Sequence, residues 1–396
     1  MKIADVSEFY SERGGGVRTY VQQKLAASAR LGHETVIIAP GPVDREEPRP
    51  GGKIVWVKAP VLAVDPRYHI FVGMKAALAV LDRERPDVVE GSSPWRGGWI
   101  AARWRGPAVK ALFMHADPVA VYPQTLLGGL LGRARVDALF SWFWAYLRRL
   151  NVHFDVTVVA GEWLATRFES FGLRGLRAVP MGVDRSLFHP ARRDEELRRV
   201  MLAACGLDEN ARVLISIGRH HPEKRLNTVM GAVARANARD KPIGLYLVGD
   251  GITRRAVERQ AAQLSLKGAH IHVAGQITDR SHLAGLMASA DGLLHGSASE
   301  TFGIAVAEAL CCGAPIIVPD TGGAADFAHA DVGEIYATGN ADDAAKAVLR
   351  LLARDQETLH RAAAARADAT IGNADAHFDR LFALYERLVA EKAKTT

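Results

Sequence analysis

Two carboxylates with seven residues between them, Glu300 and Glu308, mark the stretch where this sequence concentrates its chemistry. They follow an apolar run, Gly292-Leu-Leu-His295, that reads as a short buried strand, and the segment then turns apolar-periodic until Gly313-Ala-Pro315 ends it. The pattern predicts a helix beginning near Phe302, with Glu300 in the turn before it and Glu308 inside it. At such a start the unpaired N–H groups of Thr301, Phe302, Gly303 and Ile304 face outward, and Gly303 carries no side chain to cover them. An anion, a diphosphate above all, suits that position. Phosphate repels the two carboxylates, which accept instead from sugar or ribose hydroxyls. The ligand suggested is a nucleotide carrying a sugar.

Other strand ends converge on the same chemistry. Arg212-Val-Leu-Ile-Ser-Ile217 runs into Gly218-Arg219 and then Pro222-Glu-Lys224, while two further apolar strands end in Gly249-Asp-Gly251 and Gly275-Gln276-Ile277. Three strands ending in glycine predict one rim that a ligand can approach, and Arg219 and Lys224 supply two cations suited to a diphosphate. Arg225 reads as a solvated surface charge. Nearer the start, Gly14, Gly15 and Gly16 follow a first strand at residues 2–6 and open a helix. They let backbone approach a ligand, or form a plain flexible turn, and Arg18 favours an anion or acceptor. His115 and Asp117 lie just past the strand ending at Met114, at an edge where ligands gather in parallel sheets.

The elements that must position these residues alternate strand and helix through two halves, the pattern of a doubly wound α/β protein. The expected helices include 69–81, and the polar stretch 191–200 reads as the boundary. A chain of 396 residues with 48% apolar and 24% charged side chains is large enough for two cores. Three cysteines without metal-ligand or disulfide spacing favour a reducing cytoplasm, and no apolar run reaches the ~18 residues of a membrane span. Net charge of +6 admits a nucleic acid, an anionic lipid or a phosphorylated ligand without choosing among them. Residues 122–150 mix Leu126, Leu131, Trp142 and Trp144 with Arg133, Arg135, Arg148 and Arg149. That composition reads either as an amphipathic helix on a bilayer surface or as a long helix packed in the core.

Taken in order, the glycine loop 14–16, Pro180-Met-Gly-Val-Asp184, Gly218-Arg219 with Pro222-Glu-Lys224, Val248-Gly-Asp-Gly251 and the Glu300/Glu308 pair resemble the retaining glycosyltransferases of family 4. The resemblance implies the GT-B architecture, two Rossmann-like domains facing a cleft. Residues 1–190 would form the acceptor domain, 191–375 the nucleotide-sugar domain, and a last helix, 376–396, would cross back to the first. It also implies roles. Arg219 and Lys224 would neutralise the diphosphate, Glu308 would bind the ribose and Glu300 the sugar hydroxyls. Phe302, Gly303 and Ile304 would hold phosphate or sugar by their N–H groups, while Gly249, Gly275, Gln276 and Ile277 would edge the nucleotide, with Gly15 and Gly16 on the opposite side. His115 would stabilise the reacting ring or its 6-hydroxyl.

The resulting expectation is a metal-independent, cofactor-free hexosyltransferase that uses a UDP- or GDP-sugar as substrate. Its first-choice acceptor is a lipid or lipid-linked glycan at the cytoplasmic membrane face, through 122–150 and the basic charge; a soluble sugar or small metabolite comes second. A nucleotide-sugar epimerase or phosphorylase of similar shape and a non-enzymatic basic binding protein are the rival classes. No nucleic-acid partner is expected, and nothing in the sequence fixes an oligomeric state.

Overall fold

The structure, a computed structural model, describes residues 1–12, 16–63, 65–66, 68–237 and 242–395. They group into two compact units: Met1–His115, Leu139–Pro180 and Asp375–Thr396 in one, Ala116–Ala138 and Met181–Ala374 in the other.

The first unit is built on strands β1 (Lys2–Val6), β2 (Glu34–Gly41), β3 (Arg45–Arg49), β4 (Gly52–Lys58), β5 (Val88–Gly91), β6 (Val109–Met114), β7 (Val156–Val159) and β8 (Leu176–Ala178). Their spatial order is β3-β4-β2-β1-β5-β6-β7-β8, parallel except for β3. Val36-Ile-Ile38 and Ala111-Leu-Phe-Met114 are almost wholly buried, as continuous apolar runs are when helices cover both sheet faces. The edge strand β3, Arg45-Glu-Glu-Pro-Arg49, has no apolar alternation for a sequence reading to find; charges and proline suit an edge that must not recruit another strand. Sheet order reverses between β1 and β5, where Asp5 pairs in register with Glu90. There Lys24, from the helix Gly16–Leu31, reaches Asp5 at 2.9 Å and Glu90 at 2.8 Å, all three buried. The last helix, Ala376–Thr395, packs on β6 and on that first helix, and Tyr385 donates to Glu90 Oε2 at 2.6 Å.

The second unit carries β9 (Arg212–Ile217), β10 (Ile243–Val248), β11 (His270–Gly275), β12 (Gly292–Leu294), β13 (Ile316–Pro319) and β14 (Gly333–Tyr336), all parallel, in the order β11-β10-β9-β12-β13-β14. Helix Ala341–Leu352 is started by Asn340, whose side chain accepts from the N–H groups of Asp342 and Asp343, and buries Ala344, Val348 and Leu351. Helix Leu226–Ala236 lays Leu226, Val229, Met230 and Val233 into the same core with Leu214, Leu245 and Leu247. Sheet order reverses between β9 and β12, so their carboxyl ends open the crevice where such sheets bind ligands.

Several expectations change. The stretch 122–150 is not one helix: Pro123–Leu131, Arg133–Leu139 and Ser141–Asn151 are separate, divided at Gly132, with φ of 78°, and at Phe140. In the last of these Trp144 is buried and stacks on Phe171 at 3.9 Å, so a Trp-bearing lipid face through Trp144 does not exist; Trp142 alone of the two points to solvent. The helix expected at 69–81 forms as Lys75–Glu84, because His69 bridges Val61 instead. The polar stretch 191–200 is largely helical, Glu195–Ala204, capped by Asp194.

Candidate functional site

The second unit gathers most of the candidate residues at the β9/β12 switch. The glycine rim is a set of close backbone approaches: Gly218 N–H donates to the Val248 carbonyl at 3.0 Å and Gly249 N–H to that of Gly275 at 2.8 Å. A Cβ on Gly249, at φ 144°, would lie 1.9 Å from the Gly218 carbonyl oxygen, so only glycine fits there. Beyond Gly275, Gln276 is exposed and Ile277 half-buried.

Lys224 leaves a single 3-10 turn, Pro222–Lys224, and its ammonium forms a hydrogen-bonded ion pair with Glu300 Oε1. His295, at the end of β12, brings its Nε2 to 3.4 Å from the same oxygen. Burial alone would raise the Glu300 pKa. The Lys224 charge and His295 outweigh that and hold the carboxyl well below its ordinary range, so Glu300 is an anion at any physiological pH. Arg219 is mostly exposed and contacts Glu223 at 3.2 Å, at the mouth of the same loop.

The helix after this turn begins two residues later than expected, spanning Ile304–Cys311 with Gly303 as its N-cap at φ 92°. Val306 and Ala307 both donate to the Gly303 carbonyl, whereas the N–H groups of Gly303, Ile304 and Ala305 meet no acceptor among the described residues. Phe302 is displaced from the helix start: it is buried edge-on against Phe327, ring centroids 5.0 Å apart. The anion-facing groups therefore centre on Ile304 rather than on Phe302.

Glu308 lies one turn into that helix, buried, with Arg280 donating to its Oε1 at 2.8 Å. Burial raises its pKa against the pull of Arg280. Arg280 also lies over the Phe188 ring, 5.0 Å from its centroid. Sequence reasoning passed over Arg280, which starts the helix Arg280–Ser289 after its cap Asp279; nothing in the spacing pairs it with a glutamate 28 residues on. It also passed over His295, which the same strand-end reasoning applied to His115 could have found. Arg225 is not a solvated charge but half-buried, in a left-handed backbone conformation with φ 45°.

His115 and Gly16 lie on the first unit. Gly16 is the first residue of the opening helix, and Gly15 falls outside the described residues. His115 packs on Phe113 at 4.3 Å and edge-on to Tyr20 at 5.0 Å. Burial, aided by the charges of Lys24 and His377 and opposed by Glu90, brings its pKa down to about 4, leaving a neutral imidazole near pH 7. Asp117 is not a free carboxylate: buried, it caps the short helix Pro118–Val121, accepting from Val119 N–H at 2.8 Å and Ala120 N–H at 3.0 Å.

Comparison with known proteins also divides the chain in two. Residues 14–187 match the family model described as Glycosyltransferase Family 4, and residues 199–368 match Glycosyl transferases group 1. A GDP-mannose-dependent alpha-(1-6)-phosphatidylinositol dimannoside mannosyltransferase of Mycobacterium tuberculosis is 29% identical over 369 residues, covering 93% of this chain and 92% of that one. A GDP-mannose-dependent alpha-mannosyltransferase of Mycolicibacterium smegmatis is 29% identical over 337 residues, 83% and 82% of the two chains. Among solved structures, sucrose-phosphate synthase from Thermosynechococcus elongatus superposes with a TM-score of 0.75 at 21% identity, over 99% of this chain and 100% of that one. WaaG, a glycosyltransferase involved in lipopolysaccharide biosynthesis, does so at 0.64 and 17%, over 96% and 98%. Both are GT-B glycosyltransferases, and the likeness extends to the two parallel-sheet α/β units described above.

Proposed function

We propose that this chain, a glycosyltransferase of the family 4 type, moves a hexose from a nucleoside diphosphate sugar to a hydroxyl of a lipid or lipid-linked acceptor, with retention of anomeric configuration and without a metal ion. GDP-mannose is the donor we favour over a UDP-sugar, because relatives that share about nine-tenths of the chain's length use it. The observation that carries the reading is the arrangement at the β9/β12 switch: a Lys224–Glu300 pair, a second carboxylate at Glu308, and the open N–H groups of Gly303, Ile304 and Ala305.

In this reading the donor's diphosphate lies over Gly303 to Ala305, with Lys224 and Arg219 taking the charge that grows as it departs. Glu300 and Glu308 keep to hydroxyls, sugar and ribose respectively; Arg280 occupies one oxygen of Glu308 and leaves the other to accept. The bond from the anomeric carbon to the diphosphate breaks and the acceptor oxygen bonds to the same face. The acceptor proton passes to the departing phosphate oxygen. Glu300, paired with Lys224, is too firmly an anion to serve as a proton donor. Neutral His115 is assigned a contact to a substrate hydroxyl, and Gly249, Gln276 and Ile277 one to the nucleotide's edge.

For the acceptor, the exposed Leu126 and Leu130 of helix Pro123–Leu131, at 75% and 84% exposure, support a shallow hold on a membrane surface. No helix among the described residues is long and apolar enough to cross a membrane, and peripheral attachment at the cytoplasmic face is the proposed location. Residues 181–190 group with the second unit and residues 375–396 with the first. We take these as the nucleotide-sugar and acceptor domains respectively.

The deciding experiment is a thermal-shift panel of GDP, UDP and ADP with their hexose derivatives. The true donor raises the midpoint by mass action; no response to any nucleotide sinks the proposal. Transfer assayed with EDTA should match transfer without it.

A further inference from the structure

A polar cavity lies in the second unit, and none of the residues assigned above to the donor lines it. Its volume is about 880 Å³, inside the range of roughly 300–1,000 Å³ usual for ligand pockets. Three guanidinium side chains line it, those of Arg133, Arg225 and Arg235, together with Thr338 and Gly339. The single carboxylate in the lining, Asp342, is held by Arg235 at 2.7 Å. The lining therefore sets three guanidinium groups against one carboxylate.

Arg225 is the unusual member. It is half-buried, and among the described residues its guanidinium has neither a carboxylate partner nor a hydrogen-bond acceptor. Its backbone sits at φ 45° and ψ 43°, one of only two non-glycine residues with positive φ among those described. A side chain in that region is strained, and such strain persists where the surroundings fix it. Here they do: Thr228 N–H donates to the Arg225 carbonyl at 2.8 Å, and Gly296 packs so closely that a Cβ on it would lie 3.2 Å from that oxygen. The strained backbone delivers the guanidinium to the cavity wall beside Gly339, where a Cβ would meet Nη1 at 3.2 Å.

We propose that this cavity binds a phosphoryl group, with Arg225 as its principal ligand and Arg133 and Arg235 at its flanks. A planar guanidinium matches two phosphoryl oxygens at once, and the absence of an internal acceptor leaves those donors for a ligand. The group reaches the cavity either on a soluble phosphorylated molecule or on a phospholipid headgroup; both present the same phosphoryl oxygens. The site is independent of the donor reading, since neither Lys224 nor Glu308 lines it.

Arg225→Gly tests it cleanly. Glycine occupies positive φ without strain, so the variant should fold at least as stably as the parent. Titrated with inorganic phosphate and followed by thermal midpoint, the parent and Lys224→Ala should both be stabilised. Arg225→Gly should bind phosphate about tenfold more weakly or worse, as expected for loss of charge-assisted bonds. Sedimentation with phosphatidylglycerol vesicles, against phosphatidylcholine, separates the sources. Weaker pelleting of Arg225→Gly assigns a lipid headgroup, and unchanged pelleting with a lost phosphate response assigns a soluble ligand. A parent blind to phosphate, or a response kept in Arg225→Gly and lost in Lys224→Ala, overturns the proposal.

Discussion

Arg280 donates from Nη2 to Glu308 Oε1 across 2.8 Å, joining the first residue of one helix to the interior of another. The carboxylate is thereby oriented before any ligand arrives, and its charge is defended against burial.

If Glu308 grips a ribose, Glu308→Gln should weaken the nucleotide by about 1.5–3 kcal/mol, the worth of hydrogen bonds to a charged group, or roughly ten- to a hundredfold. Calorimetric titration reads this directly. Arg280→Ala should act differently. Without its cation the raised Glu308 pKa climbs further, so nucleotide affinity should fall away at a higher pH than in the parent as the solution is acidified. Superimposable pH profiles would remove Arg280 from this role.

Gly303→Ala places a side chain on a residue at φ 92°, with its Cβ 3.2 Å from the Ala324 Cα. The expected cost is about 1 kcal/mol or more in urea unfolding. Because the same residue starts the helix Ile304–Cys311, the larger effect should fall on donor affinity. A variant destabilised but binding normally would show that this helix start does not hold the diphosphate.

The two tryptophans of helix Ser141–Asn151 should part company. Trp144→Ala removes a ring stacked on Phe171 and should cost about 3–5 kcal/mol of stability. Trp142, at 64% exposure, should be replaceable with little change in thermal midpoint. Vesicle binding belongs to a different test: Leu126→Ser with Leu130→Ser should reduce pelleting with anionic vesicles while the midpoint holds. Undiminished pelleting would exclude this helix as the membrane contact.

His377 is buried with Nε2 3.0 Å from the Tyr20 hydroxyl, and burial, against the opposing pull of the Pro180 and Val179 carbonyls, brings its pKa down to about 4. An unfolded histidine titrates near 6.5, so between roughly pH 6.5 and 4 the unfolded chain binds the extra proton and stability is lost as pH falls. His115 adds in the same sense, whereas Asp5, its pKa raised to about 6 chiefly by burial, acts in the opposite one. His377→Gln should therefore lose less of its urea midpoint between pH 7 and pH 5 than the parent does. An equal loss in both would assign the acid sensitivity elsewhere.

Apolar periodicity determined most of this protein. Runs such as Val36-Ile-Ile38 and Val213-Leu-Ile215, rich in β-branched residues and bounded by turn residues, read as buried strands, and their alternation with helices yields two largely parallel sheets. The strand-end and helix-start positions of Arg219, Lys224, Glu300 and Glu308 were likewise legible, and their types are what the proposed anion and hydroxyl contacts rest on. The charged edge strand β3 and the break in 122–150 were not legible: an edge strand carries no buried face, and Gly132 does not declare whether it bends a helix or ends it.

Tertiary structure alone decided the partners. Burial and sheet order bring Arg280 to Glu308, and Lys224 and His295 to Glu300, across separations that no local pattern encodes. The same folding gave Arg225 no charged partner among the described residues and turned an ordinary surface-type residue into a strained, half-buried cation. Local sequence sets which backbone conformations are cheap; only the packed core determines which charges must then meet, because desolvation makes each unpaired one costly.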